Sequence, residues 1–560
     1  CTRVRHLAPP MSPNAPLAES NRDLLLDSLE QTSFDVVIIG GGITGAGAAR
    51  EATLRGLRVA VIEAHDFASG TSSRSSKLIH GGLRYLAMGD VSLVRETALE
   101  RKRLHQLAPH LAEPRWMLAP ARSRAGLMKF RTAITLYEKL GAVTKKDRHH
   151  NWQGEELRTN EPSLNHDQYP YACAYREYLT DDVRLVLANL RDATREGAVA
   201  ANHLKVTEII HESERAAGVV AHCALSGRSV RIKASAVINA AGPWIESLMA
   251  LDEGTKPSRL HLSKGIHIVV DRERLPVRNL VIMSTEDRRT IFAIARGDSV
   301  YVGTTDTTYA GSATVWPDIE RHDVEYLLAP LQNMFNVERL GPEDVIAAWS
   351  GLRPLVAQAG KEAKQISRRD EIWISPQRLV TIAGGKLTGY RRMAEDVINR
   401  VVEAAPALAS KCQPANQDVE APLPGGDFAG DLNTLANEVS ATSGAENAHA
   451  QRLVRLYGCE AHAVAQFGSS PVVEGGTVVT GEIRWAVEQE AAATLEDVLY
   501  RRTRAAFYES RECEALLEPV SRELQTRLGW TDEHRTGQVA LVRARLQHDL
   551  AFKSEAGASS

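Results

Sequence analysis

Residues 34–45 read FDVVIIGGGITG, an apolar and β-branched run that leads directly into three glycines. A short apolar run of this kind predicts a strand buried inside a parallel sheet. The alanine-rich stretch 46–55, closed by Gly56, predicts a helix, and a second apolar run at 58–62 predicts a strand that ends at Glu63. The order strand, glycine turn, helix, strand predicts a βαβ unit whose turn binds a dinucleotide.

Three glycines of this turn have separate expected roles. Gly40 permits the tight turn, Gly42 lets the backbone approach a pyrophosphate, and Gly45 lets helix and strand pack closely. The phosphates then lie at the positive helix N-terminus. Glu63 can accept hydrogen bonds from ribose hydroxyls and would repel a 2′-phosphate, which disfavours NADP. A glycine-rich turn without a ligand is the alternative, and this segment alone does not separate FAD from NAD.

The next segment, SGTSSRSSK at 69–77, is too polar for a core element and supplies hydroxyl and N–H groups. Such a loop can wrap a second phosphate and a ring system, although a flexible serine-rich loop is the alternative. The run LIHGGLRYL at 78–86 follows without a break and is hard to explain as a linker. The candidate cofactor contacts of the loop are Thr71, Ser72, Ser73, Ser76 and Lys77.

Composition narrows the class of protein. Hydrophobic residues make up 43% of the 560 residues and charged residues 24%, which is typical of a globular protein. The formal net charge of −3 gives no global basic field for nucleic acid. The six cysteines have no CxxC spacing, so we expect no metal site. The sequence contains no run of about 18 apolar residues, so it predicts no membrane-spanning helix, and no apolar signal core is visible.

The pattern along the chain predicts five regions. A loose arm at 1–32, with a short helix near 23–30, precedes an oxidoreductase region at 33–405 that contains strand-rich blocks at 198–241 and 261–306. A proline- and glycine-rich linker at 406–426 leads to a helical domain at 427–552 and a tail at 553–560. The helices expected in that domain are 432–439, 448–457, 482–490, 495–504 and 513–528.

Segment 71–86 resembles the signature of the FAD-dependent glycerol-3-phosphate dehydrogenases, the aerobic, respiratory family. The resemblance covers roughly residues 34–550. Its further motifs are TDDVRLVL at 180–187, NAAGPW at 239–244, KGIHIVV at 264–270, GTTDT at 303–307, SGLRP at 350–354, GGKLT at 384–388, LPGG at 423–426, EI at 482–483 and DVLYRRT at 497–503. Departures from the family pattern are REYL at 176–179 in place of a common Asp-Cys, an extra arginine in 367–370, and Gly389 where threonine is common.

The resemblance implies an α/β fold in which a Rossmann-like FAD-binding domain is interleaved with an antiparallel-sheet substrate domain, as in D-amino-acid oxidase, followed by an all-helical C-terminal domain. It implies oxidation of sn-glycerol 3-phosphate to dihydroxyacetone phosphate with electrons passed to a quinone. It also implies a cytoplasmic protein bound peripherally to the inner face of the cytoplasmic membrane, and it leaves a homodimer open. The patch KKDRHH at 145–150 is either a lipid contact or a solvated loop. The further cofactor contacts expected are His80, Gly81, Gly82, Val206, Gly242, Trp244, Gly384, Gly385 and Thr388.

A phosphate monoester carries nearly two negative charges and is best held by arginine and lysine. The candidate phosphate ligands are Arg84 with Tyr85, Arg353 and Lys386. Imidazole has a pKa near the working pH, so His267 is our first choice for the base, and we expect His80 to pack against the flavin. Arg353 is also expected to stabilise a developing alkoxide, and Lys386 the reduced flavin.

Three rival functions stay open at this point. An oxidase of the same fold would pass electrons to oxygen and make hydrogen peroxide. A subunit of an anaerobic dehydrogenase would need a cysteine cluster that the sequence lacks. A FAD-binding assembly or sensor protein would bind flavin without turnover.

Overall fold

The computed structural model describes residues 22–81, 91–254, 258–357, 370–415 and 421–554. Eighteen strands and sixteen α-helices lie within these ranges. The strands are β1 Ser33–Ile39, β2 Val59–Ile62, β3 Leu78–Ile79, β4 Glu113–Ala121, β5 His150–Gln153, β6 Tyr171–Leu179, β7 Val199–Ala201, β8 Leu204–Glu212, β9 Arg215–Cys223, β10 Ser229–Asn239, β11 Leu260–Asp271, β12 Leu280–Ser284, β13 Thr290–Arg296, β14 Ser299–Gly303, β15 Thr307–Thr308, β16 Val345–Val356, β17 Asp370–Ile374 and β18 Val380–Gly384. The helices are α1 Arg22–Gln31, α2 Ile43–Leu54, α3 Val91–Leu107, α4 Arg124–Leu140, α5 Gly154–Asn160, α6 Asp182–Arg195, α7 Ile245–Glu253, α8 Arg321–Met334, α9 Tyr390–Ala404, α10 Leu432–Ser443, α11 Asn447–Tyr457, α12 Ala461–Phe467, α13 Thr480–Glu490, α14 Ala505–Tyr508, α15 Ser510–Leu528 and α16 Asp532–Asp549.

The first sheet is built around the strand that opened the sequence. β1 lies at its centre and pairs in parallel with β2 on one side and β10 on the other. β18 and β7 continue the parallel order outward, and β17, β9 and β8 add antiparallel strands. Six of the seven residues of β1 are buried, which explains its unbroken apolar sequence.

Small residues on α2 allow close packing over this sheet. Ala46, Ala48 and Ala49 are fully buried. A Cβ at Gly47 would lie 2.7 Å from the Tyr390 ring, so the absence of a side chain lets α9 pack against α2. β1, α2 and β2 therefore form the βαβ unit predicted from residues 34–63.

The second sheet is mainly antiparallel and forms the interleaved part of the predicted fold. Its order is β15-β11-β14-β13-β12-β4-β6-β3, with β16 paired to β11 and β5 to β6. β11 and β16 run antiparallel along eleven paired positions from Leu260↔Val356 to Val270↔Val345. β11 carries the candidate residue His267 in its interior, and β16 carries Arg353 near its C-terminal end.

Several sequence predictions need correction. The short helix expected near 23–30 is present as α1, but this part of the N-terminal arm is not loose, because Leu26 and Leu29 are fully buried in its packing against the first sheet. The α-helix expected at 495–504 is a π-helix over Asp497–Arg502, and Arg504 then adopts a left-handed backbone with φ +63°. Helices α12, α14 and α16 of the C-terminal domain were not predicted.

A buried ionic cluster joins the C-terminal helices to the loop that follows β2. The carboxylate of Asp66 accepts hydrogen bonds from Nη1 and Nη2 of Arg502 at 2.6 and 2.8 Å, from Nε of Arg501, and from Nδ2 of Asn202 at 2.8 Å. Both arginines belong to the π-helical segment, a local distortion that brings consecutive side chains to one carboxylate. The pKa of Asp66 is lowered because these guanidiniums outweigh the effect of burial.

Candidate active site

A cavity of about 490 Å³ lies where the carboxyl ends of the first sheet meet β16. Fifteen of the site residues predicted from the sequence line it. They are Gly40, Gly42, Glu63, Thr71, Ser72, Ser76, His80, Val206, Gly242, Trp244, Arg353, Gly384, Gly385, Lys386 and Thr388. The carboxyl edge of parallel strands is where ligands bind in α/β folds.

The glycine turn shapes one end of the cavity. Gly40 has φ +114°, and its N–H donates to the Ile62 carbonyl at 2.8 Å. A Cβ on Gly45 would lie 1.9 Å from the Gly40 carbonyl oxygen, so this glycine lies in the helix–strand contact and not at the cavity wall. The first turn of α2 can therefore come close to a phosphate without a side chain in between.

Glu63 is oriented by backbone groups at the end of β2. One carboxylate oxygen accepts from the Gly41 N–H at 2.7 Å and the other from the His65 N–H at 2.9 Å. Burial raises the pKa of Glu63. A carboxylate offers about four lone-pair positions, so both oxygens keep acceptor capacity toward ribose hydroxyls.

The serine-rich loop packs across the cavity and also fixes the turn. Oγ of Ser72 accepts from the Ile43 N–H at 2.9 Å, and Oγ1 of Thr71 donates to the Leu352 carbonyl at 2.6 Å. Ser73 and Lys77 do not line the cavity. Lys77 is fully buried, and its Nζ lies 2.9 Å from a carboxylate oxygen of Asp182. Its ammonium group therefore forms a structural ion pair and does not face the cavity.

Buried groups behind the cavity hold the His80–Gly81 backbone. The Gly81 N–H donates to Oη of Tyr137 at 2.9 Å, and that hydroxyl donates to Glu177 at 2.8 Å. Arg101 donates to the same carboxylate of Glu177 at 2.7 Å. Glu177 belongs to segment 176–179, which departs from the family pattern. In this chain its carboxylate supports the Gly81 backbone through the Tyr137 hydroxyl.

Arg353 presents a guanidinium held by the β14–β15 segment. Nη2 donates to Oγ1 of Thr304 at 2.8 Å, and Nη1 donates to the Thr305 carbonyl at 3.1 Å and to Asp306 at 3.4 Å. A Cβ on Gly265 would lie 2.2 Å from Nη2 of Arg353, so that glycine creates the space for the side chain. The guanidinium is fixed and partly exposed, as recognition of an anion requires.

His267 lies one layer below the cavity wall. Its Nε2 lies 2.9 Å from Oγ of Ser76, which does line the cavity, and its ring stacks on Trp349 with centroids 4.9 Å apart. Nδ1 is buried and has no hydrogen-bond partner among the described residues. Burial, together with the charges of Lys77 and Arg353, holds the pKa of His267 well below its ordinary value. The side chain is therefore a neutral imidazole linked to the cavity through one hydroxyl.

The remaining predicted residues fall into two groups. Gly45, Ser73, Lys77, Gly81 and His267 are close to the cavity without lining it. Gly82, Arg84 and Tyr85 lie outside the described residues.

Sequence reasoning missed several residues of the cavity wall. His65, Arg74, Lys205, Ser247 and Thr304 line it without having been assigned a role. Thr304 lies in the GTTDT segment, whose recurrence in the family was the only available signal. Arg74 stacks 3.6 Å over Trp316, a contact between distant segments that no local pattern shows.

The residues present fit a flavin dinucleotide. One end of the cavity offers the helix N-terminus, Glu63 and loop hydroxyls, which suit an ADP moiety. The cavity then continues past Gly242, where a Cβ would meet nothing within 4 Å, toward Gly384, Gly385 and Lys386. A phosphate-rich group and a flat ring system can occupy this continuous space.

Comparisons with known proteins agree with this description. Residues 35–389 match the model of the FAD dependent oxidoreductase family, and residues 418–535 match the C-terminal domain of alpha-glycerophosphate oxidase. The chain is similar to the aerobic glycerol-3-phosphate dehydrogenases of Staphylococcus haemolyticus (36% identical, 93% of this chain and 95% of that protein) and Bacillus subtilis (34% identical, 97% and 100%). The crystal structure of glycerol-3-phosphate dehydrogenase from Bacillus halodurans complexed with FAD is 32% identical, covers 96% of this chain and all of that one, and superposes with a TM-score of 0.79.

Proposed function

The chain belongs to the FAD-dependent oxidoreductases and, within them, to the aerobic glycerol-3-phosphate dehydrogenase family, and on that premise we propose how it oxidises sn-glycerol 3-phosphate to dihydroxyacetone phosphate. One observation carries the proposal. A single cavity joins the dinucleotide-binding turn to Arg353 and Lys386, the two cations that suit a phosphate monoester.

FAD, when bound, supplies the two-electron acceptor that takes the hydride from the C2 carbon of the substrate. Gly40, Gly42 and Glu63 would hold its ADP half, and Gly384 and Gly385 leave room for the ring system. The residues of the chain then bind the substrate phosphate, orient its C2 hydroxyl and remove the hydroxyl proton.

Arg353 is the principal phosphate ligand in this proposal. Its bonds to Thr304 and to the Thr305 carbonyl fix the guanidinium plane at the cavity wall. Lys386 adds a second positive charge at the same wall of the cavity. Arg84 and Tyr85 stay predictions as further ligands of this phosphate.

We place the proton route on Ser76 and His267. The Ser76 hydroxyl faces the cavity and is 2.9 Å from Nε2 of His267, so it can accept the substrate proton while it passes its own to the imidazole. The positive charge of Arg353 is one of the causes that lower the pKa of His267. A substrate phosphate that neutralises Arg353 therefore raises the pKa of His267 and makes it a better base when substrate is present.

For the electron acceptor we propose a quinone, reached by peripheral contact with a membrane. No helix among the described residues is long and apolar enough to cross a bilayer. Helix α4 instead exposes two large apolar side chains, Met128 at 52% and Leu136 at 46%. Its exposed charged residues are all basic: Arg124, Lys129, Arg131 and Lys139. That combination favours an anionic lipid surface.

Two measurements test this acceptor and this surface. Turnover with glycerol 3-phosphate should reduce a soluble quinone analogue and yield little hydrogen peroxide, whereas stoichiometric peroxide would favour the oxidase. Co-sedimentation with phosphatidylglycerol vesicles should fall in the double variant Met128→Ser/Leu136→Ser. A matched change at exposed Leu541, Leu541→Ser, should leave it unchanged. Light scattering of the same preparation tests the homodimer.

A further inference from the structure

A second cavity, of about 300 Å³, brings together residues of β4 and β6, the turns around β12 and β13, and helix α11. None of the residues that line it lines the cofactor cavity. Five of its lining residues are arginines: Arg115, Arg176, Arg272, Arg278 and Arg455. We call this space the arginine cavity.

The positive charge of the arginine cavity is largely uncompensated. Glu113 is the one carboxylate of its described lining, and it lies 3.1 Å from Nη2 of Arg115. The other four arginines form no ion pair with any described residue. Asp147 and Glu113 are near enough to act on Arg176 and Arg455, but neither forms an ion pair with them. The four guanidiniums are therefore without a direct ion-pair partner in a concave space, where repulsion between them is costly.

Arg176 shows most clearly that the cavity is preorganised. It stands opposite Trp116 in the β4–β6 register, and its guanidinium stacks 3.8 Å over the indole ring. Its Nε is buried and lacks a hydrogen-bond partner among the described residues. Burial lowers the pKa of Arg176 although the charge of Asp147 opposes it, and Arg115 adds a smaller effect in the same direction as burial. A buried donor without a partner calls for an explanation such as a bound anion.

The other arginines are positioned by neutral acceptors. Nη1 of Arg272 donates to the Gly297 carbonyl at 3.0 Å, and Nη1 of Arg278 donates to the Thr159 carbonyl at 3.0 Å. Carbonyls fix the direction of a guanidinium without cancelling its charge. Each of these side chains keeps further N–H groups for a ligand.

We propose that the arginine cavity binds a multiply charged phosphate group, carried either by a small phosphorylated compound or by a lipid headgroup. Planar guanidiniums from separate segments can donate paired hydrogen bonds to phosphate oxygens from several directions. Charge and donor geometry both favour phosphate over a single carboxylate. The site is separate from substrate oxidation, so it can be tested without turnover.

The neighbourhood of the cavity is consistent with either source. The Trp116 ring contacts the His150 ring with centroids 5.1 Å apart. His150 ends the basic segment that contains Lys145, Lys146 and Arg148. Asp147 lies in the same segment, which keeps a net positive charge, so the cavity lies beside a positive stretch of surface.

The experiment has two arms, one for each source of phosphate. In the first arm, binding of pyrophosphate to the holoenzyme is measured by calorimetry at constant ionic strength. We expect Arg176→Gln/Arg455→Gln to bind at least about tenfold more weakly at this site, because two charge-assisted contacts are lost. The matched control Arg231→Gln/Lys233→Gln removes two exposed charges on β10 and should bind as the wild type does. Arg353→Lys should also retain this binding, which separates it from the substrate site.

Vesicles that contain phosphatidic acid, a lipid whose headgroup is a phosphate monoester, are compared with phosphatidylcholine vesicles in the second arm. A loss of vesicle binding in the double variant assigns the site to a lipid headgroup, and a loss of pyrophosphate binding alone assigns it to a soluble compound. If Arg176→Gln lowers the yield of folded protein, both arms are repeated with the single variant Arg455→Gln, which changes an exposed side chain. The proposal is overturned if neither binding changes, or if the β10 control weakens both binding events equally.

Discussion

Replacement of Asp66 by asparagine tests whether the C-terminal helices hold the cofactor loop in place. The carboxylate is fully buried and receives the side-chain donors of Arg501, Arg502 and Asn202. Asp66→Asn removes the charge and turns an amide NH₂ toward a guanidinium. Removing one partner of a buried ion pair costs about 3–5 kcal/mol, so the thermal midpoint of a chain of this size should fall by roughly 3–4 °C.

A matched control uses the same cluster at its exposed side. Glu496 lies 2.8 Å from Nη1 of Arg501, and its side chain is 33% exposed. Glu496→Gln should therefore cost less than about 1 kcal/mol. The assay is thermal unfolding followed by circular dichroism, with flavin fluorescence recorded on the same samples. We expect flavin release to move to lower temperature together with unfolding in Asp66→Asn. If Asp66→Asn and Glu496→Gln unfold within about 1 kcal/mol of each other, the cluster does not anchor the loop.

Three further predictions concern the site and the pH response. Arg353→Lys should keep its flavin and lower kcat/KM for glycerol 3-phosphate about a hundredfold, because two charge-assisted hydrogen bonds are lost; a change of less than about threefold in steady-state assays would contradict the phosphate role. Gly45→Ala should yield protein without flavin, because its Cβ would lie 1.9 Å from the Gly40 carbonyl oxygen, whereas Gly537→Ala, with nothing within 4 Å, should purify yellow. Burial raises the pKa of Asp549 to about 7, so ionisation of this carboxyl costs the folded state stability as pH rises from about 4 through 7. Asp549→Asn should therefore gain thermal stability over the wild type at about pH 8.5, and roughly half of that gain at about pH 5.5. Equal differences at the two pH values would show that Asp549 keeps an ordinary pKa.

The part of the fold that local pattern controls was predictable from the sequence. The run at 34–39, the glycine turn and Glu63 fall where a βαβ unit requires them, because strand burial, backbone freedom and strand ends are local properties. The family resemblance then indicated FAD and the alternation of the two sheets, and the comparisons confirm both.

The details that depend on distant contacts were not predictable. The local sequence places Lys77 in a polar loop next to a candidate phosphate site. Its side chain is instead buried in an ion pair with Asp182, which lies more than a hundred positions away in the sequence. His267 was expected at the substrate, but the absence of a side chain at Gly303 lets its ring lie beneath Ser76, since a Cβ there would be 2.1 Å from the imidazole. Contacts of this kind depend on how β11 pairs with β14, which no local spacing encodes.

The account depends most directly on whether glycerol 3-phosphate reduces the flavin of this protein. The measurement is anaerobic mixing of the purified yellow holoenzyme with glycerol 3-phosphate, followed by flavin absorbance, with glycerol at the same concentration as the control. We predict bleaching of the flavin by glycerol 3-phosphate and no change with glycerol, because only the phosphate ester engages Arg353 and Lys386. Flavin that stays oxidised at saturating glycerol 3-phosphate would contradict the proposed activity.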